Sequence, residues 1–296
     1  MVWIRGIGRV VASRNKEVAV GERLYGLFPM HQYTVIRVSR ISEGSLVDLS
    51  AHKKDLAVIY NTYNRLNSGT DVFYSPKWEN QMLLLRPLFL TSWLLRDFAQ
   101  EFLKDADKSR VFVTSASSKT SFMLAYLLKA IGISVVGLTS TKNIHYVKKL
   151  SVYSSVLAYS EVPSIPQTSG QSMLIDMAGD GTLLRKVLSQ LEPSAKCILV
   201  GATDWEKGMK DLPGEFFFAP HYAKNAIKRV GEANFNKQVS SDWFKILGEI
   251  ESNHWLRVSE NFGPGALEFT YKSYLEPGGV NPDTGMILSL WEPSNI

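Results

Sequence analysis

From Arg110 onward the chain alternates short apolar runs with longer segments whose apolar residues recur every three to four positions. The runs predict strands at Val111–Thr114, Ser134–Leu138, Val156–Tyr159, Ser172–Asp176 and Ala195–Gly201. The periodic segments predict helices at Thr120–Ile131, closed by Gly132, and at Thr141–Leu150 and Thr182–Leu191. Strands alternating with helices of this length specify βαβ units and a parallel sheet. Beyond them come an aromatic strand, Phe216–Phe218, helices near 221–231 and 240–252, a helix around 264–275 and a strand at Met286–Leu290.

The first hundred residues follow another grammar. Short strands are expected at Arg9–Ser13, Val18–Val20, Arg23–Phe28 and Tyr33–Val38, split by turn residues at Gly21-Glu22, Pro29 and Ser42-Glu43-Gly44. This is barrel-like β structure. A helix is expected near 51–65, then a loop carrying Tyr74-Ser75-Pro76. A long helical pattern runs from Leu83 to Lys104, interrupted near Pro87.

Composition narrows the class. The 296 residues are 45% apolar and 21% charged, which is ordinary for a globular protein. Apolar runs such as Leu83–Leu85 and Ile198–Val200 are strand-sized and none approaches eighteen residues, so no membrane span is expected. The single cysteine, Cys197, excludes an internal disulfide and a zinc site built from several thiolates. It points to a reducing compartment, so a cytoplasmic protein is expected. The net charge of +5 is uneven: +4 over residues 1–60, +6 over 61–150, zero over 151–230 and −5 over 231–296. A basic first half suits an anionic partner, either nucleic acid, an anionic membrane or a phosphorylated small molecule. The basic residues form no run of five, and aromatic-interleaved RNA-binding signatures are absent, so no nucleic-acid partner is expected. His31, His52, His145, His221 and His254 stand apart without metal-ligand spacing, and no Gly-x-Ser-x-Gly occurs.

The most informative segment is the first βα turn, Val111-Phe-Val-Thr-Ser115-Ala116-Ser117-Ser118-Lys119-Thr120-Ser121. In a parallel α/β sheet this turn lies at the carboxyl ends of the strands, where ligands bind. The following helix offers free N–H groups and a positive dipole end, and Lys119 adds a full charge, so the chemistry is anion binding. A nucleotide-triphosphate loop would need glycine at 113 and 118, where Val113 and Ser118 stand. A dinucleotide fingerprint would place glycine at 115, 118 and often 121; all three are serine. The competing reading is that these serines cap a helix. The second strand ends in Leu138-Thr139-Ser140-Thr141-Lys142, without the acidic residue that binds the ribose hydroxyls of NAD. Hydroxyls and a lysine suit a 2′-phosphate, as in NADP; a capped helix with a solvated lysine is the alternative. Tyr60, Tyr63, Asn64, Arg86 and Thr91 could line a cleft.

These pieces resemble a family. Ser140-Thr141-Lys142 with its helix and then Tyr159, the strand end Ile175-Asp176-Met177-Ala178-Gly179-Asp180-Gly181, and Pro193-Ser-Ala-Lys-Cys-Ile-Leu-Val-Gly201-Ala202 are similar to elements of zinc-free quinone oxidoreductases of the medium-chain dehydrogenase/reductase superfamily. So are Val18-Ala-Val-Gly21-Glu-Arg-Leu-Tyr-Gly26, Leu90-Thr91-Ser92 and Tyr274-Leu-Glu-Pro-Gly278 through Met286. Leu85–Ser92, Thr114–Thr120 and Phe217-Phe-Ala-Pro220 resemble an uncharacterised branch of that superfamily. The resemblance covers nearly the whole chain.

It implies a Rossmann-like parallel sheet domain over 106–235, interleaved with a partial chaperonin-10-like β-barrel substrate domain over 1–105 to which 236–296 return. It implies an NADP(H)-dependent, metal-free oxidoreductase that transfers hydride to a carbonyl, enone or quinone, with no metal ligands. Ser115, Ala116, Ser117, Ser118, Lys119 and Thr120 would hold the pyrophosphate, Ser140, Thr141 and Lys142 the 2′-phosphate, and Gly201 and Ala202 the nicotinamide ribose. Tyr60, Arg86 and Thr91 would serve the substrate side. A homodimer paired through Phe216–Phe218 is expected. Two departures keep a second function open, that of a non-catalytic binding or partner protein retaining the fold. The loop glycines are replaced, and Val2-Trp3 corresponds to a point inside the superfamily's barrel, so the chain is a fragment or completes the barrel differently.

Overall fold

A computed structural model describes residues 3–53, 58–103, 105, 108–165, 170–200, 212–276, 279 and 281–291. Two compact units divide the chain, Met1–Arg86 with Arg257–Ile296, and Pro87–Leu256.

The first unit opens with β1 (Trp3–Arg9), β2 (Arg23–Pro29), β3 (Val38–Ser42) and β4 (Ser45–Asp48). A 3₁₀ turn at Ala51–Lys53, the four-residue α1 (Val58–Asn61) and β5 (Thr62–Arg65) follow. The strands form one antiparallel sheet in the order β1-β2-β5-β4-β3. Here the structure corrects the sequence reading. Strands expected at Arg9–Ser13, Val18–Val20 and Tyr33–Val38 are not strands, apart from their end residues Arg9, which closes β1, and Val38, which opens β3; Val35 is 93% exposed and has no face to bury. The first strand instead covers Trp3–Arg9, where Gly6 and Gly8 look like turn residues. The lack of a side chain at Gly8 leaves room for the Phe28 ring, since a Cβ there would lie 3.0 Å from it. The helix expected over 51–65 gives way to α1 and the interior strand β5. Tyr63 of β5 is fully buried beside Leu24 and Leu46, and its ring occupies the space that a Cβ on Gly26 would fill.

α2 (Glu79–Phe102) is continuous through Pro87, where an interruption was expected. Proline in a helix interior costs about 3 kcal/mol. Full burial of Phe89, Trp93, Leu95 and Ala99 along the same helix offsets it, at roughly 1.5–3 kcal/mol for each large side chain. Phe89 packs on Trp243 and Trp93 on Phe235, with ring centroids 5.1 and 5.4 Å apart.

The second unit continues through β6 (Arg110–Val113), α3 (Lys119–Lys129), β7 (Ser134–Thr139), α4 (Ile144–Lys149) and β8 (Ser155–Ala158). It is completed by β9 (Ser172–Asp176), α5 (Gly181–Leu188), β10 (Lys196–Leu199), β11 (Glu215–Phe216), α6 (Ala219–Val230) and α7 (Glu232–Ser252). The parallel sheet runs β11-β10-β9-β6-β7-β8. Counted from β6, this is the doubly wound order 3-2-1-4-5-6 of dinucleotide-binding sheets. The predicted Rossmann-like α/β sheet is therefore present, and its switch point lies between β6 and β9. All five residues of β9 are buried, as a strand covered on both faces requires.

β12 (Arg257–Phe262), α8 (Gly263–Leu275) and β13 (Thr284–Ser289) complete the first unit, with β12 and β13 paired in parallel. β12 escapes a reading of the sequence because Arg-Val-Ser-Glu-Asn-Phe has no apolar alternation. No described helix is long and apolar enough to cross a membrane.

Candidate functional site

The carboxyl edge of the parallel sheet gathers three turns, one after each of β6, β7 and β9. The first, Thr114–Ser118, is tightly tied. Ser115 has φ of 47°, in the left-handed region, and its N–H donates to the Tyr159 hydroxyl at 3.1 Å. The Ala116 N–H donates to the Leu138 carbonyl at 3.0 Å, and the Ala116 carbonyl accepts from the buried Tyr153 hydroxyl at 2.7 Å. Gly137 makes that packing possible, since a Cβ there would lie 2.9 Å from the Tyr153 ring and 3.0 Å from the Ala116 Cβ. Burial holds the Tyr153 hydroxyl well above its usual pKa, so it stays a donor.

Ser118 is the N-cap of α3: its Oγ accepts from the Ser121 N–H at 3.2 Å. Ser121 is fully buried where the fingerprint's third glycine would sit, and its hydroxyl donates to the Thr114 carbonyl at 3.2 Å. The capping role weighed from the sequence is thus real for Ser118. It leaves the Ser117 and Thr120 N–H groups with no hydrogen-bond acceptor among the described residues. These donors open an 11-residue helix whose dipole favours an anion.

The second turn follows β7. Ser140 precedes a single 3₁₀ turn, Thr141–Asn143, with Thr141 and Lys142 exposed. The buried hydroxyl oxygens of Thr139 and Ser140 have no hydrogen-bond partner among the described residues. The Asn143 side chain donates to Ser117 Oγ at 3.0 Å and so joins the first two turns. The structure therefore brings the two predicted cofactor segments together at one edge. Gly201 and Ala202 lie outside the described residues.

The first and third turns are tied by two residues that the sequence reading passed over as site residues, Thr114 and Asp176. Thr114 Oγ1 donates to Asp176 Oδ1 at 2.6 Å and accepts from the Met177 and Ala178 N–H groups at 2.8 and 3.1 Å. Asp176 Oδ2 accepts from the Gly179 N–H at 3.0 Å. Both side chains are buried, Thr114 fully and Asp176 at 1% exposure. The available signal was a polar residue closing each of two apolar strands.

In the first unit, two predicted substrate-side residues fall in one cluster around the buried Tyr25. The Arg86 guanidinium lies 4.7 Å from the Tyr25 ring centroid, with its Nη1 2.7 Å from Asp71 Oδ2. The Arg5 guanidinium lies 6.0 Å from the Tyr25 ring and 5.9 Å from that of Tyr60, which is 39% exposed. Burial raises the Tyr25 pKa, opposed by Arg86 and Arg5. Nearby, the fully buried Lys53 Nζ donates to Tyr63 Oη at 2.7 Å and pairs with Asp48 at 3.3 Å. Thr91 belongs to the second unit, and its hydroxyl donates to the Pro87 carbonyl of the same helix at 3.1 Å. Asn64 pairs with Tyr25 across β5 and β2.

Solved structures share this fold. One is CurA from Vibrio vulnificus in complex with NADPH: 13% identity, TM-score 0.54, covering 95% of this chain and 84% of that one. Another is S. aureus TarJ in complex with NADPH, at 10% identity and TM-score 0.52, covering 96% and 80%. A third is Bacillus subtilis protein yhfP with NAD bound, at 18% identity and TM-score 0.50, covering 96% and 80%. No curated protein sequence matches the chain. A protein-family model described as "Protein of unknown function (DUF2855)" matches residues 1–279.

Proposed function

We propose that this chain, which belongs to the DUF2855 family and has a medium-chain dehydrogenase/reductase fold, is an NADP(H)-dependent oxidoreductase acting without metal on a carbonyl, enone or quinone. The observation that carries this reading is the pair of unpartnered N–H groups, Ser117 and Thr120, at the mouth of α3 beside the orphaned Ser140 hydroxyl. Donors without acceptors at the switch point of a parallel sheet fit an anionic dinucleotide. Ser117 and Thr120 would donate to its pyrophosphate, with Lys119 adding charge. Ser140 and Lys142 would hold the 2′-phosphate, with Thr141 beside them. NADP-bound and NAD-bound proteins of the same fold support the class of cofactor.

Bound NADPH would supply the hydride. Tyr60, Arg86 and Thr91 are assigned to orient the acceptor. Among the described residues no three His, Cys, Asp or Glu side chains gather in a group that could hold a metal. The protein is further proposed to be cytoplasmic and a homodimer. β11 is an edge strand, and Phe216 and Phe218 flank the buried Phe217 at 46% exposure each.

A second reading has its own support. The Ser115 and Ala116 N–H groups are already bonded within the protein, and Ser121 fills the place of a glycine. This would suit a binding protein that keeps the fold without turnover. Mixing the full chain with NADPH and a panel of benzoquinone, an enone and an aldehyde, and following loss of nicotinamide absorbance, separates the two. Turnover of any acceptor supports the oxidoreductase; saturable NADPH binding with no turnover supports the second reading.

A further inference from the structure

We propose that Arg5 recognises a carboxylate on the substrate, so that the acceptor is a carbonyl or enone bearing a carboxylate rather than a neutral quinone. This rests on the oxidoreductase reading for the substrate's reactive end, and on Arg5 itself for its charged end.

Three cations sit close together in the first unit, and two are neutralised. Lys53 pairs with the buried Asp48, and Arg86 pairs with Asp71, whose side chain is 2% exposed. Arg5 forms no ion pair among the described residues. Its one hydrogen bond among the described residues runs from Nη2 to the Ile59 carbonyl at 3.3 Å. Among the described residues the remaining donors of its planar five-donor fork have no acceptor, and the fork matches a carboxylate in two-point geometry. The same guanidinium is flanked by the rings of Tyr25 and Tyr60, which hold it without neutralising it. A partly buried cation without a counter-charge is costly, and a ligand anion removes that cost.

The charge count selects the anion. Among the described residues, with Asp48 and Asp71 already committed, one positive charge is left over, which matches a monoanion. A phosphate dianion would need a second free cation, and Arg86 is not free. The exposed edge beside Arg5 is apolar: Val58, Ile59 and Tyr60 are 68%, 45% and 39% exposed. A short carbon chain would lie there, ending in its carboxylate at Arg5.

The test uses levulinate, a keto carboxylate, and its neutral methyl ester, titrated into the full chain and followed by NMR chemical shifts. Wild type should bind levulinate at least about tenfold more tightly than the ester, the worth of one charge-assisted contact. Arg5→Gln should erase the difference and leave ester binding unchanged. Arg5→Lys, which keeps the charge and loses the fork, should retain part of it. Equal affinities in wild type, no saturable levulinate binding, a preference that survives Arg5→Gln, or tighter binding of inorganic phosphate than of levulinate would each overturn the assignment. Levulinate preference without any NADPH binding would leave the carboxylate site standing and remove the oxidoreductase reading. NADPH binding without levulinate preference would do the reverse.

Discussion

The Thr114 hydroxyl donates to the Asp176 carboxylate at 2.6 Å, across the ends of two neighbouring strands, β6 and β9, at the switch point of the sheet. Through it the turn after β9 is tied to the turn after β6, because Thr114 Oγ1 also accepts from Met177 and Ala178. Both turns belong to the proposed cofactor edge, so this pair fixes the frame in which the other donors are presented.

Thr114→Val keeps the shape and removes all of these bonds. It leaves the Met177 N–H without an acceptor, and the Ala178 N–H and Asp176 Oδ1 with only their mutual 3.3 Å bond. The expected loss is about 2–3 kcal/mol of stability. A lower urea midpoint at unchanged slope would show it. A midpoint equal to wild type would mean that the network carries no net stability.

Ser115→Gly should stabilise the fold. Ser115 has φ of 47°, a conformation that costs an L-residue roughly 1 kcal/mol and glycine almost nothing. Glycine's freedom in the unfolded chain offsets part of the gain, so an increase of up to about 1 kcal/mol is expected. The Ser115 N–H bond to Tyr159 survives the change. NADPH should also bind severalfold more tightly, since removing the side chain opens the approach to the pyrophosphate donors. Thermal melting and calorimetry read the two effects separately.

Cys197 governs part of the alkaline response. Burial, with Asp176 adding to it, pushes its thiol pKa from the ordinary 9.0 up to about 12. The unfolded chain loses that proton near pH 9 while the folded chain keeps it. Its stabilising contribution is therefore complete below pH 9 and is lost progressively as pH rises towards 12. Tyr222, raised to about 12 by burial and by Glu215, acts in the same direction above its own ordinary value of 10.0. Cys197→Ala should flatten the fall in stability between pH 9 and 12, as denaturation at stepped pH would reveal. For the same reason a thiol reagent at pH 8 should label the unfolded chain and spare the native one.

The parallel sheet was the legible part of this chain. β9 is Ser172–Asp176 both in the sequence pattern and in the fold, because a strand buried on both faces reads as an unbroken apolar run. The strands of the first unit were less legible. β1 carries Gly6 and Gly8 under the Phe28 ring, and β12 is mostly polar, so neither shows a period of two. The cofactor edge was half legible. Ser118 and Ser140 sit where their positions in the turns place them. The Thr114–Asp176 tie and the Tyr159 and Tyr153 hydroxyls depend on contacts over 62, 44 and 37 residues, which local patterns do not carry. The neutralisation of Arg86 by Asp71 is hidden in the same way, although only 15 residues separate them.

Cofactor choice tests the central claim most directly. Lys142 and Ser140 stand at the end of β7, with no carboxylate in the segment Thr139–Asn143 to pair with ribose hydroxyls. A charge-assisted contact to a 2′-phosphate is worth roughly 1.5–3 kcal/mol, or about ten- to a hundredfold in affinity. Calorimetric titration of the full chain with NADPH and with NADH should show NADPH bound more tightly by that margin. Lys142→Ala should remove most of the difference and leave NADH binding nearly unchanged. Equal affinity of the wild type for the two cofactors would contradict the 2′-phosphate site, and binding of neither would contradict the oxidoreductase itself.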